Sequence, residues 1–468
     1  MKKLILLFFL AGCSLAPRYD RPMLNENPEA WRLPLDTENA VDLGWWKQFG
    51  DETLDKMIDQ ALANNQNLKV AMANVDAYLA QLGVARSEYW PQIQLNTVTS
   101  REKISSSITA VPTGVQQIFN SFGFLFQASY LVDLWGQVRN TVETAYQQWL
   151  SSIEARRTVV LGLVTSVANT YIQLRQFDLQ LAISKQTYED RQKALYLAQV
   201  RFDLGLTSKL EVEQAITEVQ DAEREIENIE IYIATTEDLL SVLLGQPSKD
   251  IPRGTSLEKM VLPPAVSSIL PSDIVNQRPD IKSVEHQLIA AGANIGVVRT
   301  QFFPQISLNG AFGYESIQMN TLFQNTSKIW AFGSPVLQEI FTGWRITNQV
   351  DYAIAQQQQL LHQYLQTILT AFQEVNDALI THKITLEQVE TERINVEALK
   401  VYLRLSFLRY NEGQIDYLTY LDAERRLFKG ELSYVAAIGS SFVSYIQIYQ
   451  ALGGGWVNEA DAEALCEQ

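Results

Sequence analysis

Residues 91–96 read Pro91-Gln92-Ile93-Gln94-Leu95-Asn96, and residues 304–309 read Pro304-Gln305-Ile306-Ser307-Leu308-Asn309, 213 positions later. Such a return marks a duplicated unit. Upstream, Gly83, Arg86 and Trp90 align with Gly296, Arg299 and Phe303 at the same offset. Downstream, Val142-Glu143 and Ala145 align with Val350-Asp351 and Ala353, now 208 apart. Arg201-Phe202 and Gly205 align with Arg409-Tyr410 and Gly413, also 208 apart. A loop between strands absorbs the five-residue difference. The chain is therefore two copies of one unit, over residues 61–246 and 274–456. A linker at 247–273, carrying Pro247, Pro252, Pro263, Pro264 and Pro271, joins them as an extended stretch.

Each copy holds a helix, two strands and two long helices. The strands are expected at about 92–102 and 123–134, then 305–316 and 328–340. Phe124, Phe126, Ala128, Tyr130 and Val132 fall on one face, and Leu125, Gln127, Ser129 and Asp133 on the other. Ile306, Leu308, Gly310, Phe312 and Tyr314 repeat the alternation, with Trp330 and Phe332 on the fourth strand. Segments of about ten residues, aromatic on one side and more polar on the other, suit an outer-membrane barrel. Any one of them alone also suits a soluble sandwich.

The long helices are expected at 140–203, 207–245, 345–411 and 415–452. No proline interrupts the chain between Thr113 and Gln246 or after Pro335, and Gly162 is the one soft point in the first helix. At 1.5 Å per residue that helix runs roughly 95 Å, longer than a globular domain needs. Val212, Val219, Ile226, Ile233 and Leu240 recur every seventh residue, with Ala215, Ala222, Ile229, Thr236 and Leu243 three behind. This is a coiled-coil seam. The second copy places Ala423, Gly430, Ala437, Ser444 and Ala451 at the matching positions, all small enough for close backbone approach.

A bilayer tolerates no open sheet edge, because unpaired backbone groups cost several kcal/mol each there. Four strands do not close a barrel, and bacterial barrels begin at about eight. Several chains must contribute, and three give a barrel of about twelve strands with room for a pore. The fold expected is thus mainly α with a small β part: a trimeric 12-stranded β-barrel continued by an α-helical barrel.

The bulk composition agrees. The chain has 468 residues, 47% hydrophobic and 19% charged, with a net charge of −16. No apolar run reaches the 18 or more residues of a membrane helix. Acidic residues spread along the chain exclude a nucleic-acid partner, which asks for a clustered basic face. At the start, Lys2 and Lys3 precede the apolar Leu4 to Leu10, and Leu10-Ala11-Gly12-Cys13 reads as a lipobox. Residues 1–12 are then a signal peptide, Cys13 carries the lipid and residues 13–60 form a lipid-anchored segment. Ser14 follows, so an aspartate of the inner-membrane retention kind is absent. Cys466, in the acidic tail 457–468, has no thiol partner if Cys13 is acylated. His286, His362 and His382 are scattered, the first two at expected surface positions, and the six methionines do not cluster. Gly453-Gly454-Gly455 reads as a helix terminator. No catalytic constellation, cofactor motif or metal site is expected.

Three segments resemble the TolC-like outer-membrane efflux proteins, in the lipoprotein (NodT-type) branch serving resistance-nodulation-division pumps. They are Pro17, Tyr19 and Pro22 with Trp45-Trp46, Phe49, Leu54, Ala61-Leu62, Asn65 and Leu68; Arg278-Pro279-Asp280-Ile281, Glu285, Ile295-Gly296, Arg299 and Phe302-Phe303-Pro304; and Tyr410, Gly413, Tyr417-Leu418, Leu421-Asp422-Ala423 and Arg425. The resemblance implies a homotrimer in the outer membrane and a helical barrel reaching into the periplasm. It implies as partners a periplasmic adaptor, an inner-membrane pump and outer-membrane lipid, with substrate moving passively.

Gly205 and Gly413 mark the helix-to-helix turns farthest from the strands, where the resemblance puts the adaptor contact. Leu418, Asp422 and Arg425, spaced by four and three, share one face of the last helix. In the family that face lines the closed periplasmic end, with Tyr410 nearby. Rings of Asp422 and Arg425 then hold the tip shut, with Leu418 as an apolar constriction. The plainer reading is an exposed i,i+3 pair worth a few tenths of a kcal/mol. Two rivals stay open: a duct for type I protein secretion, and a non-channel periplasmic coiled-coil adaptor or scaffold. The cargo is not legible.

Overall fold

The computed structural model describes residues 14–24, 31–32, 44–103, 105, 118–263 and 271–454. Cys13, Cys466 and the acidic tail lie outside them. In chain order the elements are a 3-10 turn at Trp45–Phe49, α1 (Glu52–Asn64), α2 (Gln66–Ser87), β1 (Gln92–Lys103), β2 (Ile118–Val132), α3 (Gln137–Asp203) and α4 (Lys209–Leu243). Then follow α5 (Pro271–Gln277), α6 (Pro279–Arg299), β3 (Gln305–Ser316), β4 (Lys328–Gly333), β5 (Val336–Leu337), α7 (Arg345–Asn411) and α8 (Tyr417–Ala451). The duplication is visible in length: α3 and α7 have 67 residues each, α4 and α8 have 35 each.

The chain divides into two compact units. One, formed by residues up to 22, 74–152 and 283–364, carries the sheet. Its strands run antiparallel in the order β1-β2-β3-β4, with β5 also on β3. One rung runs Leu95, Phe126, Phe312, Trp330 across all four strands. The next rung on that face runs Ile93, Ala128, Gly310, Phe332. The side chains of Ile93, Leu95, Phe126, Phe312, Trp330 and Phe332 are all exposed. The opposite face, through Gln94, Gln127 and Ala311, is polar or small. A strand of 12 residues is ~40 Å long and, tilted as barrel strands are, covers a band of roughly 25–30 Å.

Two strand expectations need correction. The second strand begins at Ile118, five residues earlier than the alternation indicated. The fourth does not run unbroken from 328 to 340 but splits at residues 334–335 into β4 and β5. Pro335 has no N–H to give the ladder, and its carbonyl instead accepts from Ser307 N at 3.2 Å. In the same unit the opening segment docks on helices. Tyr19 donates to Glu285 at 2.8 Å, Arg21 pairs with Glu285 at 2.8 Å, and Arg299 donates to the Leu15 carbonyl at 3.1 Å. His286, expected at the surface, is half-buried with Nδ1 2.7 Å from Gln147 Oε1, because α6 packs there; His362 is exposed.

The second unit holds residues 23–73, 153–282 and from 365 onward. Gly162 does not interrupt α3, because its neighbours Leu161, Leu163 and Val164 are buried. Packing outweighs the ~1 kcal/mol a helical glycine costs. The heptad reading of α4 holds: Val212, Ala215, Val219, Ala222, Ile229, Thr236 and Leu240 are buried. On α8, Ala423, Gly430, Ser444 and Ala451 are buried, and a Cβ on Gly430 would lie 2.7 Å from Leu399 of α7. Trp45, fully buried, stacks on Tyr449 at 5.2 Å, and Phe49 meets Phe442 edge-on at 5.3 Å. Beside them Asp51, 2% exposed, caps α1 through Thr53 N at 2.8 Å. It also accepts from Tyr171 Oη at 2.7 Å and Thr255 N at 3.0 Å, tying the linker to α3.

Candidate functional site

The turns joining α3 to α4 and α7 to α8 close the same way. Gly205 (φ 74°) and Gly413 (φ 72°) take the left-handed conformation that a Cβ disfavours. Leu206 N donates to Arg201 O and Gly205 N to Phe202 O, both at 2.8 Å. Gln414 N donates to Arg409 O at 2.8 Å and Gly413 N to Tyr410 O at 3.0 Å. These are paired Schellman caps, which satisfy the last helical carbonyls. The two turns are neighbours, since Tyr410 Oη donates to Glu211 at 3.1 Å and the Arg201 guanidinium lies 5.0 Å above the Tyr410 ring.

Tyr410 belongs to an aromatic cluster. It stacks on Tyr420 at 5.6 Å, Tyr417 lies 5.6 Å from it, and Phe407 lies 5.8 Å from Tyr420. Burial, helped by the hydrogen bond to Glu211, pushes the Tyr410 hydroxyl up to about 12, so it remains a donor. Of the sequence-derived residues, Leu418 is 55% exposed within a single chain. Asp422 and Arg425 do not pair with each other within the chain. Asp422 pairs with Arg426 at 2.7 Å, one helical turn on. Arg425 Nε donates to Glu218 of α4 at 2.7 Å. Glu218 is buried and is also held by Arg191 of α3, at 3.1 Å through its side chain and 2.8 Å through its carbonyl. One carboxylate thus ties three long helices together.

Glu424 lies next to this knot and hydrogen-bonds Tyr420. Burial raises its pKa, offset in part by the Tyr420 bond and Arg191. Sequence reasoning missed Glu218, Arg191, Glu424 and Arg426. One signal was available: under the 208-residue offset, Thr217-Glu218 falls on Arg425-Arg426, so the copies place opposite charges at matching positions. Among the described residues no group of His, Cys, Asp and Glu is arranged to hold a metal, and no helix is long and apolar enough to cross a membrane.

A model of the family described as "Outer membrane efflux protein" matches residues 57–246 and 270–454. The probable efflux pump outer membrane protein TtgC of Pseudomonas putida is 35% identical, over 97% of this chain and 94% of its own length. The cation efflux system protein CusC of Escherichia coli is 31% identical, over 96% of each chain. The crystal structure of the Campylobacter jejuni CmeC outer membrane channel superposes with a TM-score of 0.88 at 26% identity, covering 96% of this chain and 98% of that one.

Proposed function

The chain belongs to the outer membrane efflux protein family, and from that premise we propose that three copies form the passive exit duct of a tripartite efflux pump. One observation carries the reading. The sheet presents a continuous band of exposed aromatic and aliphatic side chains, while β1 and β4 each pair on one side only among the described residues. An apolar band suits lipid, and open edges do not. Further copies of the chain resolve the conflict by closing the barrel. A coiled-coil adaptor or scaffold leaves the band without a purpose.

In this reading a periplasmic adaptor and an inner-membrane pump of the resistance-nodulation-division type supply the energy, and the chain conducts rather than catalyses. The turns at Gly205 and Gly413 meet the adaptor. Leu418, Asp422, Arg425 and Tyr410 form the periplasmic gate, with Glu218 as the anchor that keeps Arg425 in place. Cys13, behind its lipobox, carries the lipid that holds the N-terminal segment to the membrane. CusC is named for cations and TtgC for an efflux pump without a stated cargo, so membership of the family does not choose a cargo.

The test is reconstitution. Chains extracted from outer-membrane fractions should run as heat-modifiable trimers and give discrete conductance steps in planar bilayers. Monomers without conductance overturn the duct. A Cys13→Ser variant should lose labelling by radioactive palmitate while still conducting, because the barrel has its own membrane affinity. Retained label removes the lipid anchor from the reading.

A further inference from the structure

Trp344 is the one non-glycine residue with positive φ (66°) among the described residues, and it is 74% exposed. A bulky residue in that conformation is strained, and strain persists where surroundings hold it. Nothing within the chain accounts for it. The other copy of the repeat does. There Gly136 (φ 81°) stands in the same place, directly before α3 as Trp344 stands before α7. Its neighbour Trp135 stacks on Phe303 at 4.8 Å, and the Trp135 indole Nε1 donates to the Pro304 carbonyl at 2.8 Å. That contact seals the foot of the β2–β3 junction, where the first repeat meets the second.

The internal symmetry of the sheet holds to the residue. Ile93 pairs with Ala128, and Ile306, 213 on, pairs with Val336, 208 on. Thr97 pairs with Phe124, and Gly310 with Phe332, at the same offsets. The β2–β3 junction therefore has a counterpart in which β4 and β5 of the second repeat meet β1 of a first repeat. Within one chain those strands are the two edges of the sheet. Carrying over the pairs Ala128 with Gly310 and Val132 with Ile306 gives Val336 opposite Thr97, and Ile340 opposite Ile93, of a second copy. At the foot of that junction Trp90 takes the place of Phe303, and the order Trp135-Gly136 becomes Gly343-Trp344. Trp90 is 73% exposed, Ile93 72% and Ile340 90%.

We propose that Trp344 of one copy stacks on Trp90 of the next, forming an aromatic latch that seals each seam between copies and fixes the register of the strands above it. The proposal rests on the multi-copy duct and adds to it the surface, the register and the two residues that hold it. The occupant is a second copy, because the same contact is already made once within the chain.

Two experiments test the latch in a Cys466→Ser background, after the unmodified chain has been shown to form trimers. Oxidation of the Thr97→Cys, Val336→Cys double variant should give covalent trimers, while Val98→Cys with Val336→Cys should not, since a one-residue slip turns the side chain to the other face. Trp344→Gly relieves the local strain, so a role confined to one chain predicts a stable trimer. The latch predicts at least a tenfold loss of detergent-resistant trimer, restored by Trp344→Phe. Undiminished trimers in Trp344→Gly, no bridge at the predicted register, or strong quenching of Trp344 fluorescence by brominated lipid each overturn the latch and leave the duct standing. Failure of the unmodified chain to oligomerise overturns both.

Discussion

Two buried titratable side chains give the second unit opposing responses to acid. His382, 4% exposed with Nδ1 2.9 Å from Ser444 Oγ, has its pKa lowered by burial. Below an unfolded value of about 6.5 the unfolded chain takes up a proton that the folded one refuses. His382 therefore supports the fold fully above that pH and progressively less below it. Glu424 is shifted the other way, so the folded chain keeps a proton that the unfolded chain has lost. Its stabilising effect is full below the unfolded carboxyl value of about 4.3 and fades as pH rises through the folded pKa. Melting temperature against pH should separate them. His382→Asn should flatten the fall below about pH 6.5, and Glu424→Gln should raise Tm at neutral pH; unchanged profiles in both mean the groups titrate as they do in water. Asp51→Ala removes the α1 cap and strands the Tyr171 hydroxyl, and should cost about 2–4 kcal/mol in denaturant unfolding. A loss under 0.5 kcal/mol removes Asp51 from the framework. At this scale the sequence was legible where spacing is local, as for Leu418, Asp422 and Arg425. It was opaque for Glu218, whose partners Arg191 and Arg425 lie 27 and 207 positions away.

Elements were the most readable scale, because period is a property of neighbouring residues. The small stripe of α8 announced a close helix pair, and Gly430 shows how close, with Leu399 where its Cβ would stand. Gly430→Leu should overpack the seam by about 1–3 kcal/mol or more, while Gly430→Ala, one carbon larger, should cost less. Equal stability of Gly430→Leu and the parent by thermal unfolding would mean that α7 and α8 part easily. The β alternation placed β3 to the residue, yet the same rule carried the fourth strand through Pro335, where the missing N–H should have split it. The chain's opening segment was readable only as a resemblance. Its clamp of Tyr19 and Arg21 on Glu285 spans more than 260 positions, beyond any local pattern.

For the whole molecule the decisive quantity is whether the tip opens. On a threefold axis every side chain appears three times, so Asp422 meets its own copies unless a cation intervenes. The structure supplies Arg426 one turn away, on the exposed side, while Arg425 is turned toward the buried Glu218. The two pairs should therefore behave differently in salt. At 1 M the screening length is about 3 Å, short enough to weaken the exposed Asp422–Arg426 pair but not the one anchored in the protein. Asp422→Ala should raise single-channel conductance in planar bilayers and remove most of its dependence on salt. Arg425→Ala acts by another route. It leaves Glu218 to Arg191 alone, loosens α8 from α4, and should add to the first effect in the double variant, because the pairs share no atom. Cells carrying the double variant should admit vancomycin, which the closed tip excludes. If both variants conduct like the parent with the same salt response, the constriction lies on another face, and Leu418, Asp422 and Arg425 are a solvated stripe on a coiled coil.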